Sequence, residues 1–170
     1  PVVGISTFVN ALAVPAAHPA KTFAEYIDWV RQAGDSSQSA AIGIPAPAST
    51  PEFLVTSLAR HFSLALTPVP YRGSAPMMVD MLGNQIHAGI GSVQDFMEYQ
   101  KSGRMRVLAV LGTQRQASMP DVPTFDELGI KGFGDTPFYG IYAPKGLPSE
   151  VVRRWENATE KVLAQPDVRQ

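Results

Sequence analysis

Three hydroxyl-bearing segments each follow an apolar run and open a helical pattern: Ser49-Thr50, Ser74 and Ser92. A helix start leaves amides without partners and carries partial positive charge, so it suits an anion. The hydroxyls would add hydrogen-bond donors without adding charge. Arg72 is the one cation in the loops among these segments, and its planar fork matches a carboxylate or a phosphate. In an open α/β sheet such junctions share one edge, at the carboxyl ends of the strands, where ligands bind. These residues therefore predict a mild anion site. Ser and Thr are also good helix caps, and any one junction is explained by that alone.

Other chemistry is weakly represented. There is no cysteine, which excludes thiol catalysis, thiolate metal sites and disulfides. No G-x-S-x-G elbow, phosphate-binding G-x-x-x-x-G-K-[ST] loop or G-x-G-x-x-G fingerprint occurs. His18, His61 and His87 have no second histidine or carboxylate at a metal-ligand spacing on one helix face. No metal, no cofactor and no catalytic residue is predicted. His61 reads as a surface or boundary residue, and His87 as packed or partly solvated. Asp126 and Glu127 fall in a capping pattern, Thr124-Phe-Asp-Glu127, which explains them without acid/base work. Met77, Met78 and Met81 read as a core stripe. Tyr71, Phe138 and Tyr139 suit either an apolar pocket or plain core packing.

The elements that must position these residues can be read along the chain. Phe8–Val14 is apolar and stops at Pro15, which predicts a buried strand. Thr22-Phe-Ala-Glu25 is a capping box opening a helix to about Gln32, stopped by Gly34. Ser39–Ile44 predicts a strand. Thr50 suits a cap and Pro51 a first turn, with Leu54, Leu58 and Phe62 as the core stripe of the second helix. Leu66–Val69 predicts a strand, and Ser74-Ala-Pro76 a third helix with its methionines and Leu82 inward and Gly83 as its stop. Gln85–Gly91 alternates, with Ile86, Ala88 and Ile90 on one face. Ser92 caps a helix ending before Gly103, and Met105–Leu111 reads as a central parallel strand. Thr124 opens a short helix that Gly129 ends, Phe138–Ala143 is a strand, and Pro148 opens a last helix with Val151, Val152, Trp155, Val162 and Leu163 on its apolar face.

The alternation of strands and helices predicts an α/β fold with a mostly parallel sheet flanked by helices. The chain has 170 residues, 45% hydrophobic, with 14 Lys+Arg against 15 Asp+Glu and a net charge of −1. That composition excludes a disordered chain and offers no basic excess for nucleic acid or an anionic membrane. No apolar run is long enough to span a bilayer. The first residue is Pro1, without an initiator Met, and an interior-type strand follows at once, which predicts a fragment.

Several segments together resemble a known family. Val69-Pro-Tyr-Arg-Gly-Ser-Ala-Pro76 resembles the V-P-Y-K-G-S-A-P signature of the Bug/TctC family, the extracytoplasmic solute receptors of tripartite tricarboxylate transporters. Gly103–Val110 is similar to that family's G-K-L-R-A-L-A-V, Met119–Gly129 to its L-P-D-V-P-T-x-x-E-x-G, Phe138–Pro144 to W-Y-G-L-L-A-P, and Leu163–Val168 to L-A-x-P-E-V. The resemblance implies a type II periplasmic binding protein of the two-lobed, Venus-flytrap kind. It implies that residues 1–132 are the second lobe, including a hinge strand, and that residues 133–170 return into the C-terminal part of the first lobe. A signal peptide and a ligand-clasping glycine-rich loop are then expected before Pro1, and a periplasmic location with them.

Carried over residue by residue, the family's ligand loops fall on Gly43 to Thr50, with Ala48, Ser49 and Thr50 at the helix start, on Tyr71, Arg72, Gly73 and Ser74, and on Gly91 and Ser92. The chain departs from the pattern. Ile44-Pro-Ala-Pro-Ala48 replaces a Gly/Ser-rich loop, and Gly91, Phe138 and Arg72 stand where the family has Asp, Trp and Lys. The implied function is capture of a small organic anion (a mono-, di- or tricarboxylate, or an amino acid) without catalysis. The implied partners are the membrane subunits of a tripartite tricarboxylate transporter. Two alternatives remain: the ligand-sensing effector domain of a transcription regulator, and an α/β hydrolase-like enzyme, which needs a nucleophile with a partnered base.

Overall fold

The computed structural model describes residues 1–34, 40–134 and 137–168. The elements are β1 (Val3–Thr7), β2 (Asn10–Pro15), α1 (Phe23–Ala33), β3 (Ala41–Ile44), α2 (Thr50–Phe62), β4 (Thr67–Pro70), α3 (Ser74–Leu82), β5 (Ala88–Ser92), α4 (Val93–Lys101), β6 (Met105–Val110), β7 (Phe138–Ile141) and α5 (Ser149–Leu163). They form two compact units, Val9–Asp135 and a smaller one made of Pro1–Phe8 with Thr136–Gln170.

The larger unit is built on a five-stranded sheet in the order β4-β3-β5-β2-β6. Pairing is parallel for β3 with β4 and with β5, and antiparallel for β2 with β5 and with β6. Four strands therefore run one way, with β2 inserted against them. Alternation along each strand splits the core between the two sheet faces. Leu12, Val14, Ile42, Ile44, Ala88 and Ile90 join α1 and α2 on one side. Ala11, Ala13, Val107 and Val110 join α3 and α4 on the other. Leu54 and Leu58 are fully buried, and Phe62 packs on the edge of the same cluster. The α/β class and the flanking helices are as expected.

Four local expectations need correction. The Met105–Leu111 run lies at the sheet edge and pairs antiparallel with β2; its apolarity, broken only by the half-buried Arg106, reports burial on both faces and not a central parallel position. A register shift between Leu12 and Ala13 puts Leu108 and Ala109 in the same cluster, which breaks the alternation there. Ile86 packs with the α3 and α4 cluster, away from Ala88 and Ile90, because regular strand geometry starts only at Ala88. Thr124 and Glu127 form both bonds of their capping box, with Thr124 N donating to Glu127 Oε2 at 2.8 Å and Glu127 N to Thr124 Oγ1 at 3.1 Å, but the segment is a turn and not a helix. Ser39 lies outside the described residues.

In the smaller unit β1 pairs antiparallel with β7, from Val3 opposite Ile141 to Thr7 opposite Phe138. The expected Phe8–Val14 strand is β2, which starts two residues later and runs through Pro15; β1 ends before it, at Thr7. On α5 the apolar stripe forms but covers little. None of its described residues is buried, and Trp155 is 52% exposed. Among the described residues no helix is long and apolar enough to cross a membrane.

Candidate functional site

The strands β4, β3 and β5 are neighbours running in one direction, so the three junctions that follow them share one edge of the sheet. The structure brings together what the sequence spacing suggested: 45–49 after β3, 71–73 after β4 and 92–93 after β5. The first two are stitched to each other. Tyr71 N donates to Ile44 O at 2.8 Å, and Gly73 N to Pro45 O at 2.9 Å.

The junction after β3 is rigid for local reasons. Ser49, and not Thr50, is the N-cap residue of α2, and Thr50 and Pro51 are its first two helical positions. Ser49 Oγ donates to Ala46 O at 2.6 Å. Ala48 stands in the left-handed region at φ 51, and its amide donates to Glu52 Oε2 at 2.5 Å. The amide of Ala48 is therefore taken within the chain. The amides at the start of α2 beyond it are the ones a helix leaves unpaired.

Gly43 has a packing role. A Cβ there would lie 2.8 Å from Met77 Cγ and 3.3 Å from Tyr71 Cε2. Gly89 and Gly91 do the same for Met81 and Met77, with built Cβ distances of 2.6 Å to Met81 Sδ and 3.3 Å to Met77 Cε. The three glycines form a trough that seats α3, and the methionines are core, as their spacing suggested.

After β4, Gly73 is the N-cap of α3 at φ 96, a conformation that glycine adopts without strain. Tyr71 is half-buried and donates its hydroxyl to Asp80 Oδ2 at 2.9 Å. Burial, with Asp80 beside it, pushes the phenol up to about 12. Arg72 is exposed and makes no ion pair among the described residues.

The hydroxyls do not act as the free donors that the sequence suggested. Ser74 Oγ donates to Asp95 Oδ2 at 2.7 Å, and Ser92 N donates to the same oxygen at 3.2 Å. A carbonyl and a carboxylate only accept, so the hydrogens of Ser49 and Ser74 are committed inside the chain. Ser92 Oγ donates to the Gln94 side chain. Donors for an anion are then the backbone amides at the helix starts and Arg72. Asp95 was not singled out by sequence; the reach of its carboxylate across to α3 leaves no trace in local spacing.

No histidine bonds to Ser49, Ser74 or Ser92 among the described residues; the Ser74 hydroxyl is held by the Asp95 carboxylate. The histidines lie elsewhere. His18 is buried with its Nδ1 accepting from Ala20 N at 3.1 Å, its ring 4.4 Å from that of Trp29 and 6.1 Å from that of His87. Among the described residues no group of three His, Cys, Asp or Glu could hold a metal ion.

A sheet with one reversed strand, helices on both faces and binding junctions at a common carboxyl edge is the architecture of the periplasmic binding proteins. BugD, a periplasmic binding protein, superposes with a TM-score of 0.80 at 26% identity, over 98% of this chain and 56% of its own. A Rhodopseudomonas palustris protein solved with adipate gives 0.84 at 27% identity, over 99% and 55%. The chain belongs to the TctC family, the tripartite tricarboxylate transporter family receptors, whose pattern matches residues 1–170. A UPF0065 protein from Pseudomonas sp. strain P51 is 32% identical over 170 residues, 99% of this chain and 49% of the relative. The chain spans about half the length of the curated relatives it matches along its whole extent.

Proposed function

We propose that this chain is the ligand-closing half of a periplasmic solute receptor that captures a small organic carboxylate and catalyses nothing. In this reading the second lobe is the unit Val9–Asp135, and Pro1–Phe8 with Thr136–Gln170 belongs to the first lobe, which moves the boundary expected at residues 1–132 and 133–170. The observation that carries this reading is the unpaired Arg72 on a loop stitched to the start of α2, at an edge where three helices begin. An anion there gains a charged fork and unpaired amides without any competing internal ion pair on Arg72. The contacts are assigned to Arg72, to the amides of Ser49 and Thr50, and to the rim formed by Ala48, Tyr71, Gly73, Ser74 and Ser92; Gly43, buried under Met77, supports the site only through packing. The adipate-bound relative supports a carboxylate ligand. Ser49 gives its hydroxyl hydrogen to a backbone carbonyl, which is no base, and this supports a binding role over a nucleophilic one at the start of α2.

Ligand bridging two lobes would stabilise the closed form by its differential contacts. The closed form would then be presented to the membrane subunits of a tripartite transporter. The test is a thermal-shift screen of the full-length receptor against mono-, di- and tricarboxylates and amino acids. A ligand at a hundredfold excess over its Kd stabilises by about 2.7 kcal/mol. A shift with a carboxylate that Arg72→Ala abolishes supports the reading. No shift with any anion overturns it.

A further inference from the structure

Asn10 is 2% exposed, and its side-chain Nδ2 has no hydrogen-bond partner. Its main chain is paired in the sheet: Asn10 stands opposite Ser92 in the β2–β5 ladder, and its carbonyl accepts from Leu111 N at 2.8 Å. A buried donor left unpaired is costly and rare, and it calls for a specific explanation.

Its position supplies one. Because β2 alone runs against the other strands, its first residue lies at the edge where β3, β4 and β5 end. Asn10 shares the parity of Leu12 and Val14, which places it on the sheet face that carries α2. Two strand spacings, about 10 Å, separate it from the end of β3, where α2 begins. The residue is thus at the same edge and on the same face as the amides assigned to the anion. A hydrophobic residue would fill this strand position with no orphaned donor.

We propose that the Asn10 side-chain amide is a ligand-binding group, whose N–H donates to an oxygen of the bound carboxylate. This rests on the carboxylate-receptor reading above. It assigns Asn10 a role as an uncharged donor complementary to Arg72: the arginine supplies the charge, and the asparagine a short, buried, directional hydrogen bond.

The test uses the full-length receptor, with Asn10→Ala and Asn10→Asp. The first removes the donor, and the second keeps the shape while replacing the donor with an acceptor. Thermal shifts are measured with adipate, succinate, malate, citrate and acetate, each at 10 mM as an order-of-magnitude excess. For whichever acid stabilises the wild type, titration calorimetry should give at least a tenfold weaker Kd in Asn10→Ala and no measurable binding in Asn10→Asp. The ligand-free melting temperature of Asn10→Ala should stay within about 2 °C of wild type, because the Nδ2 donor it removes has no partner in the chain. Wild-type affinity retained in Asn10→Ala overturns the assignment and leaves the receptor reading intact. A large fall in the ligand-free melting temperature with unchanged Kd marks Asn10 as structural and also overturns it. Absence of a shift in the wild type with every acid overturns the receptor reading, and this assignment with it.

Discussion

Ser74 and Asp95 hold α3 and α4 together at their first turns, through a 2.7 Å hydrogen bond from the serine hydroxyl to Oδ2 of the aspartate. The same oxygen accepts from Ser92 N, so one carboxylate satisfies donors from two helix starts. The protein thereby places a negative charge of its own at the edge where an external anion is expected. That confines the incoming carboxylate to the α2 and Arg72 side of the edge.

Asp95→Ala removes both bonds and leaves the half-buried Ser74 hydroxyl and the Ser92 amide without this partner. The expected loss of stability is about 1–3 kcal/mol, read from urea or thermal unfolding. Asp95→Asn should lose less, since an amide oxygen still accepts. The same two variants should bind carboxylates more tightly, because a repelling charge has gone. Unchanged stability in Asp95→Ala would contradict the tie between the helices.

Gly43→Ala should destabilise by about 1–3 kcal/mol, since its Cβ would meet Met77 at Cγ, close to the backbone of a packed helix. Gly91→Ala should cost less, because its nearest neighbour is the mobile Cε end of the same side chain. The order of the two melting temperatures checks the trough described for α3. Equal values would mean that α3 shifts as a body.

Acid should weaken the fold through His18. Burial, with the charges of His87 and Arg106 nearby, lowers its pKa from 6.5 to about 4. The unfolded chain then binds a proton that the folded chain refuses between those values. The stability is complete above about pH 6.5 and is lost as pH falls toward 4, by at most about 3 kcal/mol. Trp29 and Tyr26 complete the surroundings and carry no charge that would rescue the imidazolium. His18→Asn keeps an acceptor near the Ala20 amide and removes the titration. Its unfolding free energy should be flatter over pH 4–6.5 than that of the wild type, a window set by those two pKa values.

The 170-residue chain alone should self-associate. Trp155, Val162, Phe138 and Tyr139, four large apolar or aromatic side chains, are each about half exposed in the smaller unit. Sedimentation velocity across a concentration series should show growing mass. Trp155→Ser together with Val162→Ser should reduce it. A concentration-independent monomer would exclude this surface as adhesive.

Local chemistry made much of this fold legible. Thr22 and Glu25 predicted the start of α1, and Thr22 Oγ1 does accept from Glu25 N at 3.2 Å. The Leu54–Leu58 spacing and the methionines of α3 marked their buried faces because periodicity is a direct record of burial. What escaped was set at long range. β1, just before the first apolar stretch, forms through its pairing with β7, while β2 pairs with β5 and β6, and local sequence records none of these partners. The edge position of β6 leaves no mark on residues that are buried on both faces. Among site residues, hydroxyls at helix starts were visible as types, but their hydrogens are directed by Ala46 O and Asp95, partners that spacing does not reveal. Asn10 was hidden in an apolar run as its single polar member.

The pairing of β1 with β7 has a consequence for how the molecule is made. β1 precedes Val9–Asp135 and β7 follows it, so the two can pair only after the whole of that segment has emerged from the ribosome. Closing so long a loop from an unfolded chain is slow, whereas prior folding of the larger unit shortens the effective span between the two strands. Synthesis order and assembly order therefore differ for β1: it is translated before the larger unit but pairs after it, and until then its edge stays open to any other extended chain.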